Sequence, residues 1–223
     1  MRNRWFIALA AIGLHISIGS VYAWSVLTRP IMADMGFTLS QTTWTFSLAI
    51  LMLGLSAGFL GSFAEKIGPK KSGLLAMLFW VTGLFGTAYA LNIHNLTLLY
   101  LFYGIIGGIG LGIGYITPVS TLVKYFPNRP GFATGLAIMG FGFASLIAGP
   151  LMQYLVAQVG LIDNFIILGL IYLVVMGASS LYLKAPQPKQ PTRTTKDKST
   201  MYVHNHGMLA NDAMKTWQFG ALW

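Results

Sequence analysis

Cysteine is missing altogether, which excludes disulfides, thiol nucleophiles and thiolate metal sites. Charge is nearly as scarce. Charged residues make up 9% of the chain, against about 25% in ordinary soluble domains, so a water-facing surface could not be covered. No Lys, Arg, Asp or Glu falls well inside any of the long apolar runs, as hydrocarbon surroundings demand. Histidine is thinly spread as well: His15 is in an apolar run, His94 in a short connection, His204 and His206 in a polar tail. That leaves no metal-ligand spacing on a helix and no later-helix histidine for an intramembrane serine protease. A phosphate-binding glycine loop is also absent. The chain reads as a non-enzyme with no catalytic residue, no cofactor and no metal.

Apolar residues are what it has in quantity, 55% of the sequence with a mean hydropathy of +0.67. Six stretches approach or exceed the ~18–20 residues that cross a bilayer, at roughly 5–28, 43–64, 72–91, 97–123, 131–157 and 163–183. They are too long for barrel strands and lack period-two alternation, so they predict helices. The fold class is an all-α membrane protein of six transmembrane helices. Polar breaks fall at Arg29–Pro30 to Ser40, Asn92–Asn95, Pro127–Pro130 and Gly160–Asp163, with Ser40 the expected N-cap of the second helix. Arg2, Arg4 and Val21-Tyr22-Ala23 loosely resemble a secretory signal. The apolar run is too long for one and further spans follow at once, so the first span is read as retained.

Basic residues alternate across the connections. Arg2 and Arg4, then Lys66, Lys70 and Lys71, then Lys124 and Arg129, then Lys184 and its tail fall on one side; the other holds only Arg29, with Asp34 and Asp163. The positive-inside rule therefore predicts a multi-pass protein with both termini cytoplasmic, in the plasma membrane (the inner membrane if bacterial). The net charge of +9 is topological, which points to anionic membrane lipids as partners rather than nucleic acid. Residues 1–184 form the six-helix bundle on this reading. Residues 185–215 form a Pro/Lys/Thr-rich cytoplasmic linker, and 216–223 open a seventh helix.

The connection GSFAEKIGPKKSG, residues 61–73, concentrates charge and turn residues between two apolar runs. Gly61, Glu65, Lys66, Gly68 and Lys70 stand in the order of the signature loop of the major facilitator superfamily, which this stretch resembles. In that family the loop joins the second and third helices, links the two halves of a transporter and biases which side is open. Two departures are Glu65 for the usual aspartate and Pro69 for a common arginine. A second stretch, GIIGGIGLGIGYITPVSTLVKYFPNRPGFATGLAIMGFG at 104–142, resembles the oxalate–formate antiporter group and, more distantly, monocarboxylate transporters. NRWFIALAAI and KTWQF resemble the same group.

The resemblance implies the N-terminal six-helix half, two three-helix repeats, of a twelve-helix transporter, followed by the central loop. It implies a small carboxylate anion as substrate, moved by alternating access, and a C-terminal half as partner, separate or missing. A second copy of this chain is the alternative, as a homodimeric half-transporter; a six-helix channel is another. Aromatic and polar side chains of the first, second, fourth and fifth helices hold substrate in the family, which nominates His15, Tyr22, Trp24, Tyr115 and Met139. At ~100° per residue, His15, Gly19 and Tyr22 share one face of the first helix, with Trp24 on the opposite face. Many proton-coupled relatives carry a fourth-helix arginine where this chain has Tyr103-Gly104, which counts against proton symport and leaves exchange or facilitated movement open. Gly104, Gly108 and Gly112 are spaced for close helix packing. Gly149 does similar work in the fifth helix, where Pro150 predicts a kink.

Overall fold

The computed structural model describes residues 3–186 and Trp217. Among these, six helices are long and apolar enough to cross a membrane: α1 Arg4–Met35, α2 Leu39–Ile67, α3 Pro69–Asn92, α4 Leu96–Tyr125, α5 Pro130–Val159 and α6 Leu161–Tyr182. No strand occurs among the described residues. Apart from Ala185, Pro186 and Trp217, the linker at 185–215 and the seventh-helix opening at 216–223 lie outside them.

The joints show why the helices stop where they do. Asn3 caps α1 by accepting the Trp5 N–H on its side chain at 3.0 Å. Gly68, at φ +82°, is the whole connection between α2 and α3. Only glycine enters that backbone region without strain, and Pro69 then supplies a ready-made first helical turn. Gly160, at φ +90°, joins α5 to α6 in the same way.

Two boundaries differ from the sequence expectation. The first span does not end at Thr28 but continues through Arg29 and Pro30 to Met35. Pro30 loses one backbone bond, a loss that helices in membranes tolerate, and the arginine can extend toward water along its own stem. The cap of α2 is Thr38, not Ser40. Thr38 N–H donates to the Gln41 side chain at 2.9 Å and Gln41 N–H donates to the Thr38 hydroxyl at 3.3 Å, a reciprocal capping box.

Three helices also depart from regular geometry. α1 tightens to a 3₁₀ turn over Ser20–Ala23, and α4 widens to a π segment over Tyr100–Gly107. α5 is interrupted at Phe143. Pro150, where the sequence predicts a kink, lies within the helical stretch Ala144–Val159.

Glycine fixes how closely the helices approach. A Cβ added at Gly104 would lie 2.9 Å from the Leu48 Cβ, and one at Gly108 only 2.6 Å from the Met52 Cβ and 2.8 Å from the Ala49 carbonyl. At Gly112 it would collide with Ser56. This stripe therefore seats α4 on α2. On another face of α4, Gly107 and Gly110 receive Trp80 of α3, and Gly114 meets Ile18 of α1. Gly149 is looser, its nearest neighbour being Val26 at 3.9 Å. α1 is the most buried of the six helices, α3 and α4 follow, and α2 is the least buried.

Gly108→Leu should therefore lower stability by about 1–3 kcal/mol through overpacking. Gly135→Ala, with nothing within 4 Å of the added carbon, should be neutral within about 0.5 kcal/mol. Thermal unfolding of the two purified variants in one detergent checks the contrast.

Candidate functional site

The polar positions nominated by the sequence fall into three places. His15 is fully buried. Its Nδ1 lies 2.6 Å from the Ala137 carbonyl of α5 and its Nε2 3.0 Å from the Tyr115 carbonyl of α4. The imidazole thus bridges three helices and stacks on the Tyr115 ring, with centroids 5.6 Å apart and planes at 24°. The ring has no exposed surface of its own.

In front of His15 is an aromatic group that the sequence identified only in part. Phe141 stands between Tyr115 and Tyr22, at 5.1 Å from each ring, and Tyr22 also meets Phe46 of α2 at 6.4 Å. Tyr22 is 45% exposed. The approach of α1 to α5 depends on Gly19, whose missing Cβ would otherwise collide with the Phe141 carbonyl and the Ala144 methyl. Phe141 and Phe46 had no signal beyond being apolar residues in apolar runs. Met139 is 46% exposed on α5 and stands apart from these ring contacts.

Beyond Tyr22, toward the end of the bundle that carries Gly36 and Asn95, a cleft of about 570 Å³ opens between α1 and α2. Tyr22, Trp24, Thr28, Arg29, Thr43 and Phe46 line it. Tyr22 and Trp24, placed on opposite faces by regular helical spacing, both reach it. The 3₁₀ turn between them advances about 120° per residue and narrows their angle. Trp24 is largely buried, its indole N–H donating to the Thr42 carbonyl at 3.2 Å and its ring 4.3 Å from Tyr103. Arg29 is the finding with most consequence. The sequence assigns it to a loop, whereas on the continued helix it becomes a cleft residue. No acid lines the cleft with it.

At the opposite end of the bundle, Glu65 of α2 pairs with Lys124 of α4 at 3.1 Å, both about half exposed. The loop lysines Lys66 and Lys70 are not its partners among the described contacts. Behind this pair, Ser72 of α3 and Thr117 of α4 share a buried hydroxyl hydrogen bond of 2.7 Å, and Gly61 lets α2 lie beside Ile116. The charged loop is therefore anchored to α4 both at its rim and beneath it. No group of His, Asp or Glu able to hold a metal occurs among the described residues.

The sequence profile of the Major Facilitator Superfamily matches residues 6–220. The chain belongs to this superfamily. Its six helices are the N-terminal half of that fold, and the proteins of the superfamily are transporters rather than enzymes. YhjX, an uncharacterised MFS-type transporter of Escherichia coli K12, is 33% identical over 196 residues, 87% of this chain and 47% of that protein. The oxalate:formate antiporter of Oxalobacter formigenes is 25% identical over 222 residues, 99% of this chain and 51% of the antiporter. Human monocarboxylate transporter 14 is 29% identical over 170 residues, 76% of this chain and 33% of that protein. The chain spans about half the length, or less, of these curated relatives.

Glu65 and Lys124 should show a small coupling energy. A double-mutant cycle with Glu65→Gln and Lys124→Gln, read by unfolding in detergent, should give about 0.2–1 kcal/mol for so exposed a pair. A value near 3 kcal/mol would mean that the pair is desolvated.

Proposed function

We propose that this chain forms one half of a transporter for small carboxylate anions of the oxalate, formate or monocarboxylate kind, working by alternating access. The observation that carries the reading is the cleft: aromatic rings, threonine hydroxyls and a single cation, Arg29, with no acid beside it. Carboxylates need a positive partner when they leave water, and a guanidinium binds them through paired hydrogen bonds. The named activities of the antiporter and of the monocarboxylate transporter support the same substrate class.

On this reading Tyr22, Trp24 and Arg29 contact the anion, Tyr115 and Phe141 form the deeper wall, and His15 positions Tyr115. Met139 serves from the exposed face of α5. Glu65 and Lys124 form the contact that biases the two access states, with Gly61, Lys66, Gly68 and Lys70 shaping their loop. The partner is a second six-helix half. The membrane is the plasma membrane, with both termini cytoplasmic, a placement supported by the clustering of Arg4, Lys66, Lys70, Lys71, Lys124, Arg129 and Lys184 away from Arg29. Reporter fusions after Lys71, Asn95, Lys124 and Lys184 should read in, out, in and in; an outside signal at Lys71 would overturn the orientation.

Transport itself is tested in liposomes preloaded with unlabelled oxalate or formate, following uptake of labelled anion. Saturable exchange should require the 223-residue chain together with a separately made second half, and Arg29→Gln should reduce it at least tenfold. Exchange by the 223-residue chain alone would replace the half-transporter reading with a homodimer. No saturable uptake of either anion by the pair would overturn the substrate class.

A further inference from the structure

The end of the bundle that carries the Glu65–Lys124 pair holds another cavity, of about 330 Å³, between the start of α1 and the α4–α5 turn. Arg4, Trp5, Phe126, Asn128, Arg129 and Phe132 line it, with no acid among the lining residues. The one ion pair among the described residues is Lys124 with Glu65, so neither arginine has a carboxylate partner there.

The cavity is built on its wall side. Trp5, Phe126 and Phe132 pack edge to face in a closed triangle, with centroids at 5.7, 6.4 and 5.8 Å. Arg4 lies over two of these rings, its Cζ 5.6 Å from the Phe126 centroid and 5.9 Å from that of Trp5. Such cation–π contacts hold a guanidinium in place while leaving its N–H groups free to bind. Arg129 arrives from the other side, as the residue before α5, and gives that helix no side-chain cap. Pro130 has no N–H and the Ala133 N–H donates to the Arg129 carbonyl at 3.1 Å, so in the first turn of α5 the Gly131 and Phe132 amides are left to add donors of the same sign.

We infer that this cavity is a binding site for an anionic phospholipid, whose phosphate sits between Arg4 and Arg129 and whose chains run along the aromatic wall. Two guanidiniums and open amides match a phosphate oxygen set. The rings decide between a lipid and a free phosphate: Trp5 is 55% and Phe132 47% exposed, at the end of two membrane helices, where an indole sits at the headgroup level and a phenyl offers apolar surface to the acyl chains. A free anion would gain nothing from them. Net charge decides the headgroup: a phosphatidylglycerol-type lipid adds no cation, whereas the ammonium of phosphatidylcholine would face the second arginine. Basic pockets between helices are an established way of holding anionic headgroups. The inference rests on membrane insertion and is independent of what the chain transports.

Native mass spectrometry of the purified 223-residue chain, titrated in detergent with phosphatidylglycerol, phosphatidylcholine or inorganic phosphate, provides the test. One phosphatidylglycerol per chain should be retained in preference to phosphatidylcholine, a comparison that needs no variant. The double variant Arg4→Gln/Arg129→Gln should bind it about 30-fold more weakly, while Arg4→Lys/Arg129→Lys should recover part of the loss. Lys71→Gln/Lys184→Gln removes the same charge from the same end, outside the cavity, and should leave binding within about twofold. Equal loss in the two glutamine doubles would reduce the effect to diffuse attraction and overturn the site. Equal retention of phosphatidylcholine, or inorganic phosphate competing off the lipid at matched concentration, would overturn the phospholipid assignment.

Discussion

Within hydrocarbon, an apolar side chain gains little by leaving lipid for another helix, so association depends on how closely two backbones can approach. In this bundle that constraint is met chiefly by α4. Gly104, Gly108 and Gly112 bring it onto α2, while Gly107, Gly110 and Gly114 open slots for Trp80 of α3 and Ile18 of α1. A side chain on either stripe would push a neighbouring helix outward. The π segment over Tyr100–Gly107 takes an extra residue into its turn and resets the phase of what precedes it. Tyr103 can then be buried among Trp24, Trp80 and Phe165, joining four helices at one ring.

The contact between α1 and α5 follows a different logic. Here the backbone itself is irregular on both sides, a 3₁₀ turn at Ser20–Ala23 and a break at Phe143, and the irregular parts meet at Gly19. His15 lies between the carbonyls of Ala137 and Tyr115 a turn away, and a neutral imidazole donates its one N–H to either of them. Interhelical polar bonds within membranes contribute only about 0.6 kcal/mol on average, so their main effect is on orientation. The imidazole fixes the plane of the Tyr115 ring, Phe141 packs on that ring, and Tyr22 packs on Phe141. The presentation of Tyr22 at the cleft is therefore set in part by His15, Tyr115 and Phe141, none of which lines it.

The six spans were legible because hydrocarbon imposes the same requirement on every helix, whereas the connection read across 61–73 contracts to Gly68 alone because its charged residues continue the two helices. Arg29 was misplaced for a physical reason. A charge next to a proline reads as the end of a helix, yet both are tolerated where the guanidinium can reach out along its stem. The partner of Glu65 was hidden among nearer lysines, since Lys124 lies 59 residues away and pairs with it only through the approach of α2 to α4. That His15 could bond a neighbouring helix was as open to the sequence as a place in the cavity, but its partners were not: they are backbone carbonyls, which carry no residue identity. Trp24 and Tyr22 were separated by a helical spacing that α1 abandons at the point between them.

The charge arrangement joins these observations into one mechanism on the proposed reading. A contact that biases access must form and break in every cycle, so it has to be weak. A half-exposed Glu65–Lys124 pair is weak because water competes for both partners. Its anchorage beneath, the Ser72–Thr117 hydrogen bond, is buried and holds α3 to α4 whether or not the pair is made. The rim can thus open without loosening the bundle. Arg29 is placed differently, on the far end and without an acid beside it, which leaves its charge available to an entering anion instead of spending it on an internal partner. With the Glu65–Lys124 pair at one end and Arg29 at the other, the contact that forms and breaks lies apart from the cation offered to the anion.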